Sequence, residues 1–215
     1  MGERYPGYDV LSKRTTPSWD AATKRTIDRR LAVHPGPRVF TAAEWATLKA
    51  VCGRILPQPA GRPAVPLAAF VDLKLWENRR DGWRHAQLPP QDEAWRRGLK
   101  ALDAEAQGRR GRAFAELEPE AQDELLKDMQ AGRLAHPAWA GMPPAIFFSD
   151  RVLSDITHAY YAHPTAWSEI GFGGPASPRG YVRMDLNRRD PWEAVEAEPG
   201  TEEKARRENG RVGHH

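Results

Sequence analysis

The chain has 215 residues, enough for one sizeable helical domain, and its 40% hydrophobic and 28% charged residues are close to globular averages. Its single cysteine, Cys52, excludes an internal disulfide framework and a cysteine-rich metal site. The net charge of +3 does not indicate a nucleic-acid partner, because 32 basic residues are interspersed with 29 acidic ones and no known nucleic-acid-binding motif accompanies them.

Residues 1–38 are predicted to form an extended N-terminal arm. The segment contains four prolines and three aromatic residues, Tyr5, Tyr8 and Trp19, and only "DAATKRTIDRRLAV" is suited to a short helix. Disordered tails are usually poor in aromatic residues. We therefore expect the arm to lie on its own domain; the alternative is that it reaches onto a partner.

The first strong helix signal is "FTAAEWATLKAVCGRILP". Thr41 and Glu44 have the spacing of a capping box, and Phe40 and Trp45 that of a hydrophobic staple. The apolar residues that follow recur at helical spacing, and the helix is predicted to end at a proline. Cys52 lies on this apolar stripe, so we interpret it as a small buried side chain rather than a reactive thiol.

Further helices are predicted over 66–76, 91–109, 119–131 and the segment "AIFFSDRVLSDITHAYYAHP", which has the broadest apolar face. Strand-like alternation is not sustained anywhere in the chain. The sequence therefore predicts an all-α fold with about five main helices in a single compact domain over 39–184.

The segment "HPTAWSEIGFGGPASPRGYVRM" interrupts this pattern. It contains too many glycines and prolines for a helix and too many aromatic residues for an ordinary linker. We predict a Gly/Pro/aromatic loop here, followed by a charged, flexible C-terminal tail over 185–215.

No set of residues has the pattern of a self-sufficient active site. His158 and His163 are five positions apart and thus on different helix faces, which disfavours a shared metal ion. Ser154, Asp155 and His158 lie on one helix, whereas catalytic triads are usually assembled from separate elements. The loop sequence "GFGGP" lacks the context of a phosphate-binding loop. We expect no catalytic, cofactor-binding or metal-binding residues.

The eight tryptophans instead favour a binding role, since interfaces are enriched in aromatic residues. We expect Trp45 and Trp95 to lie in the core. The better interface candidates are Trp139, Trp167 and Trp192.

Four segments together resemble the gluconate 2-dehydrogenase subunit 3 family: "FTAAEWATLKAVCGRILPQ", "WRRGLKALDAEAQGRRGRAFAELEPEAQDELLKDMQAG", "FFSDRVLSDITHAYYAHPTAW" and "IGFGGPASPRGY". The resemblance covers about 40–181. Its most specific part is the loop, where six residues match the family pattern: Gly171, Phe172, Gly174, Pro175, Gly180 and Tyr181.

The resemblance implies a small, non-catalytic subunit that binds and stabilises a larger flavoprotein of the glucose-methanol-choline (GMC) type. That partner would hold FAD and oxidise a sugar or sugar acid, and electrons would leave to a cytochrome c or another acceptor. The small subunit itself would bind no cofactor. The expected interface residues are Trp139, Trp167, Gly171, Phe172, Gly173, Gly174, Pro175, Gly180 and Tyr181.

Two other functions stay open at this stage: a free-standing helical enzyme using His158 or His163 with Tyr160 or Tyr161, and a basic nucleic-acid-binding module. The sequence shows neither an apolar run long enough to span a membrane nor a secretory signal. We therefore expect no transmembrane segment and a cytoplasmic location, or a periplasmic one if a signal-bearing partner exports the complex.

Overall fold

A computed structural model describes residues 3–175 and 193–212, and these residues form helices, turns and loops without a β-strand, which confirms the all-α prediction. None of the described helices is both long and apolar enough to cross a lipid bilayer. The α-helices are α1 (Ala21–Leu31), α2 (Ala42–Ile55), α3 (Leu67–Trp76), α4 (Gln91–Arg110), α5 (Pro119–Gln130), α6 (Pro144–Phe147), α7 (Ser154–Tyr161), α8 (Pro164–Glu169) and α9 (Glu202–Asn209).

The predicted capping box opens α2. The Glu44 amide donates to Thr41 Oγ1 at 3.3 Å, and Glu44 Oε2 accepts from the Thr41 amide at 2.8 Å. Cys52 is buried on this helix, and burial raises the pKa of its thiol to about 12. The thiol is therefore protonated at neutral pH, in agreement with a packing role. Trp45, expected in the core, is only half-buried.

The chain divides into two compact units, one formed by residues 33–60 and 66–160 and the other by 1–32, 61–65 and 161–215. In the first unit α4 packs against α2, α5 and α6. Its buried stripe includes Trp95, Leu99 and Leu102, as the spacing predicted. Trp95 meets Phe147 edge-on at a centroid distance of 5.5 Å.

A fully buried carboxylate fixes the chain that leads into α2. Asp72 Oδ2 accepts a hydrogen bond from the Arg38 amide at 2.8 Å, and Oδ1 accepts one from the Val39 amide at 2.9 Å. Backbone N–H groups that satisfy a buried carboxylate offset much of its desolvation cost. Asp72 on α3 thus fixes the backbone before α2, because its carboxylate accepts hydrogen bonds that a backbone carbonyl would otherwise accept.

Helices α6 and α7 are joined by one π-helical turn, Phe148–Leu153, so that 144–161 is continuously helical. The predicted apolar face on this segment is confirmed in part: Phe147, Val152 and Ile156 are at most 1% exposed, whereas Leu153 and Tyr161 are 42% and 53% exposed. The π turn, which changes the helical register by one residue, was not predicted. π-Turns interrupt α-helices frequently at functional sites.

The second unit has its own apolar cluster, which consists of Tyr8, Val10, Trp19, Ile27, Trp167, Ala194 and Val212. Residues 3–32, most of the predicted extended arm, are folded in the structure, because a 3₁₀ turn (Val10–Thr15) and α1 pack onto this cluster. The aromatic side chains of the segment are the physical reason, as they are buried against the same chain.

Two further segments of this unit are helical where the sequence predicted none. Pro164 begins α8 instead of ending a helix, because proline suits the first helical turn and the His163 ring supplies the N-cap. In the predicted tail, α9 ends with Asn209, whose buried amide donates to the Pro6 and Val195 carbonyls. The predicted segment boundaries at 38/39 and 184/185 stay a prediction.

Two glycines of α4 provide a matched test of the packing. A Cβ on Gly98 would overlap the ring of the buried Phe147, whereas one on Gly108 would meet no atom within 4 Å. Gly98→Ala should lower the free energy of unfolding by about 2 kcal/mol, since overpacking exceeds the gain in helix propensity. Gly108→Ala should raise it by about 0.5–1 kcal/mol. Urea unfolding measures both; equal stabilisation by both variants would contradict this packing.

Candidate functional site

The loop predicted as the interface begins directly after α8 and is described as far as Pro175. Gly171 and Gly174 adopt left-handed backbone conformations, with φ of +68° and +66°. A Cβ on Gly171 would lie 2.5 Å from the Tyr5 ring, and one on Gly174 would lie 3.1 Å from the Trp167 ring. Both glycines are therefore required for close packing of the loop against aromatic residues of the same chain.

Trp167 holds the loop from beneath. Its side chain is 4% exposed, and Nε1 donates to the Tyr161 carbonyl at 2.6 Å. The Phe172 ring meets it edge-on at 5.8 Å, and the Arg30 guanidinium lies 5.4 Å from the indole centroid. The buried Lys13 ammonium donates to the Gly173 carbonyl. The backbone of the loop is thus fixed by aromatic, cation–π and hydrogen-bond contacts.

Three large hydrophobic side chains around Trp167 remain exposed. Tyr161 is 53% exposed, Ile170 44% and Phe172 42%. Each is tied to Trp167 through the backbone: Tyr161 by the indole hydrogen bond, Phe172 by its amide bond to the Trp167 carbonyl at 2.8 Å, and Ile170 by the same helical turn. We call these three side chains, two of them aromatic, the aromatic surface. Contiguous exposed apolar patches are typical of interaction sites, and these residues lie within a twelve-residue stretch, 161–172.

The structure separates the predicted interface residues by accessibility. Trp167 and Gly174 are buried, while Gly171, Gly173 and Pro175 are partly exposed. Among the predicted interface residues that the structure describes, Phe172 alone presents a large exposed side chain. Gly180, Tyr181 and Trp192 lie outside the described residues, so their predicted roles stay predictions. Tyr161 and Ile170 were not predicted as interface residues, since exposure cannot be read from composition.

Trp139, the remaining predicted interface residue, lies in the core of the other unit. It is 4% exposed, its Nε1 donates to Glu105 Oε1 at 3.3 Å, and its ring lies 6.0 Å from that of Phe147. A side chain so enclosed supports packing and cannot present its ring to a partner. This corrects the expectation that Trp139 is an interface residue.

The two histidines considered for catalysis have local structural partners. His158 Nδ1 lies 2.8 Å from the Ser154 carbonyl and 3.3 Å from Ser154 Oγ on the exposed side of α7. His163 is buried, and its Nδ1 accepts the Thr165 amide at 3.2 Å as the N-cap of α8. Burial, together with the nearby charge of Arg30, lowers the pKa of His163 to about 4.

In the unit formed by residues 33–60 and 66–160, four charged side chains form an ion-pair cluster that the sequence did not indicate. Lys74 Nζ lies 2.7 Å from Asp155 Oδ1 and 2.5 Å from Asp81 Oδ1, and Arg151 NH1 lies 2.8 Å from Asp81 Oδ2. Trp95 Nε1 donates to Asp155 Oδ2 at 2.7 Å. Burial raises the pKa of Asp81, but hydrogen bonds from Lys74 and Arg151 outweigh it, so this pKa is lowered overall.

A cleft of about 310 Å³ opens beside this cluster. Its lining combines cationic, aromatic and apolar groups: Arg80, Asp81, Gly82, Trp83, Arg84, Leu88, Pro89, Pro90, Gln91 and Arg151. Trp83 is 64% exposed, the highest value among the large hydrophobic side chains that the structure describes. No group of three or more potential metal ligands from His, Cys, Asp and Glu occurs in the described parts of the chain.

The described residues define a small all-α protein. A family model described as gluconate 2-dehydrogenase subunit 3 matches residues 42–174, and the chain belongs to this family. The match confirms the resemblance seen in the sequence and ends within the glycine-rich loop. Neither the curated proteins nor the solved structures contain a significant match to this chain.

The capping histidine predicts a pH dependence of stability. The folded state holds the pKa of His163 at about 4, below the ordinary 6.5, so the unfolded chain binds the additional proton between these values. Stability is therefore retained above pH 6.5 and lost as the pH falls towards 4. His163→Asn preserves a capping side chain without a titrating group.

From pH 7 to pH 4, the free energy of unfolding should fall on the order of 2–3 kcal/mol more for the wild type than for His163→Asn. Urea unfolding of both proteins at several pH values measures this difference. Parallel curves would show that His163 does not titrate in this way.

Proposed function

We propose that the chain is a non-catalytic accessory subunit that binds and stabilises a larger FAD-dependent dehydrogenase of the GMC type, which oxidises a sugar or sugar acid. The observation that carries the proposal is family membership over residues 42–174, since the family description is that of a subunit. A subunit requires a catalytic partner. The aromatic surface is our candidate for part of that contact.

The physical properties of the aromatic surface favour this role. Tyr and Phe are enriched in interface cores, and a few buried anchors account for most of the binding free energy of an interface. Up to Pro175, where the description of the loop ends, its backbone is held by Trp167 and Lys13. Binding through this part therefore costs little additional ordering, and more of the contact energy is available for association.

The division of chemistry follows from this proposal. The partner holds FAD and carries out substrate oxidation, and electrons pass to a cytochrome c or another acceptor through the complex. The accessory subunit binds no cofactor of its own. Its location is that of the complex: cytoplasmic, or periplasmic where the partner provides an export signal.

Co-expression tests the proposal directly. The chain is produced alone and together with a candidate GMC-type flavoprotein dehydrogenase. We expect the chain alone to show no flavin absorbance and no dye reduction with sugars, and the pair to co-elute with a higher yield of soluble flavoprotein. The proposal would be refuted by turnover with the purified chain alone. It would also be refuted if the soluble yield and elution volume of the flavoprotein were the same with and without the chain.

A pair of equally exposed residues tests the aromatic surface. Phe172 and Leu153 are each 42% exposed, and Leu153 belongs to the other unit. Phe172→Ser should weaken binding of the flavoprotein at least tenfold, a loss of about 1.4 kcal/mol or more. Leu153→Ser should change it less than twofold. Titration calorimetry measures both affinities, and circular dichroism confirms that both variants remain helical. An equal effect of the two variants would reject the aromatic surface as the contact.

A further inference from the structure

The cleft beside the ion-pair cluster has a positively charged lining. Arg80, Arg84 and Arg151 contribute three cationic groups, and Asp81 contributes the one carboxylate among the lining residues. Arg80 and Arg84 belong to the segment 77–90 between α3 and α4, whereas Arg151 projects from the π-helical turn. The cleft therefore attracts anions, and guanidinium groups are the side chains best suited to hold a planar anion.

The charged side chain of Arg151 in the cleft is held in place before a ligand binds. Arg151 is 5% exposed and paired with Asp81, which in turn is paired with Lys74. Lys74 is anchored by the buried Asp155. These contacts fix the Arg151 side chain before any ligand arrives, so little rotamer entropy is lost on binding.

An unsatisfied donor also lies at the cleft. Gln91, the first residue of α4, lines it, and its Nε2 is buried without a hydrogen-bond partner among the described residues. Buried polar atoms without partners are rare in folded proteins and costly. Pro90 provides no side-chain cap for the helix. The side-chain Nε2 of Gln91 thus lacks a hydrogen-bond acceptor, which a ligand oxygen can supply.

The rim of the cleft is apolar. Leu88, Pro89 and Pro90 line one part, and the exposed Trp83 indole follows Gly82, whose φ of +79° turns the chain there. An indole face and proline rings suit a flat or apolar group. Trp76, in contrast, is 61% exposed but does not line the cleft.

We propose that this cleft is a binding site for a carboxylate attached to an aromatic or apolar group. The carboxylate lies between the arginines and Gln91, and its apolar body lies against Trp83. A singly charged carboxylate fits better than a doubly charged phosphate because the repulsion from Asp81 grows with the charge of the ligand. A small aromatic acid and an acidic side chain of a partner protein share this chemistry. The site shares no residue with the aromatic surface proposed for the flavoprotein contact.

Phenylacetate and its neutral isostere phenylacetamide test the site on the full chain by titration calorimetry. We expect phenylacetate to bind at least tenfold more tightly, and its affinity to fall as the salt concentration rises. Trp83→Ala should weaken phenylacetate binding at least fivefold, and Trp76→Ala less than twofold. Equal binding of the two compounds, no saturable binding of phenylacetate, or an equal effect of the two tryptophans would overturn the proposal.

Gln91→Leu separates ligand binding from folding. Because it removes an unsatisfied buried donor, the melting temperature should stay the same or rise, while phenylacetate affinity falls at least fivefold. Unchanged affinity would overturn the role of Gln91.

A ten-residue peptide of alternating glutamate and phenylalanine distinguishes the two sources of the carboxylate, a small aromatic acid and a partner protein. Binding of this peptide at least tenfold tighter than phenylacetate supports a protein carboxylate, and weaker binding supports a small acid.

Discussion

The larger unit depends on one buried carboxylate. Asp155 accepts hydrogen bonds from Lys74 of α3 and Trp95 of α4, so a single side chain of α7 joins three helices. Its side chain is 1% exposed, and removing one partner of such a group leaves an uncompensated charge in the interior. The same contacts orient Arg151 and Asp81 at the neighbouring cleft. Core geometry and surface chemistry are therefore coupled through Asp155.

In the smaller unit, aromatic packing has the corresponding role. The loop after α8 keeps its shape because Trp167 and Tyr5 lie against backbone that has no side chain at Gly174 and Gly171. Gly171 and Gly174 thus allow the loop to pack against its own chain. Phe172 is presented to solvent as a result of this packing. An interface built in this way depends on a buried support as much as on its exposed side chains.

The aromatic surface and the cleft bear differently on function. The family assignment describes a subunit, and the aromatic surface is our candidate for the subunit contact. The cleft has another composition, with arginines, a buried amide and an indole rim, and it belongs to the other unit. The proposed protein contact and the carboxylate site share no residue, which allows each to be tested without the other.

The sequence by itself determined the helical class, the main helices, the capping box at Thr41 and the family, because these depend on spacing and on contacts between near neighbours along the chain. It did not determine the burial of Trp139 and Trp167, the folding of residues 3–32 onto the apolar cluster, or α9. Only the tertiary structure decided these, since an aromatic residue has the same local signal in a core and at an interface. The meeting of Lys74, Asp81, Arg151 and Asp155 likewise requires helices distant in sequence to pack, and no local pattern encodes that approach.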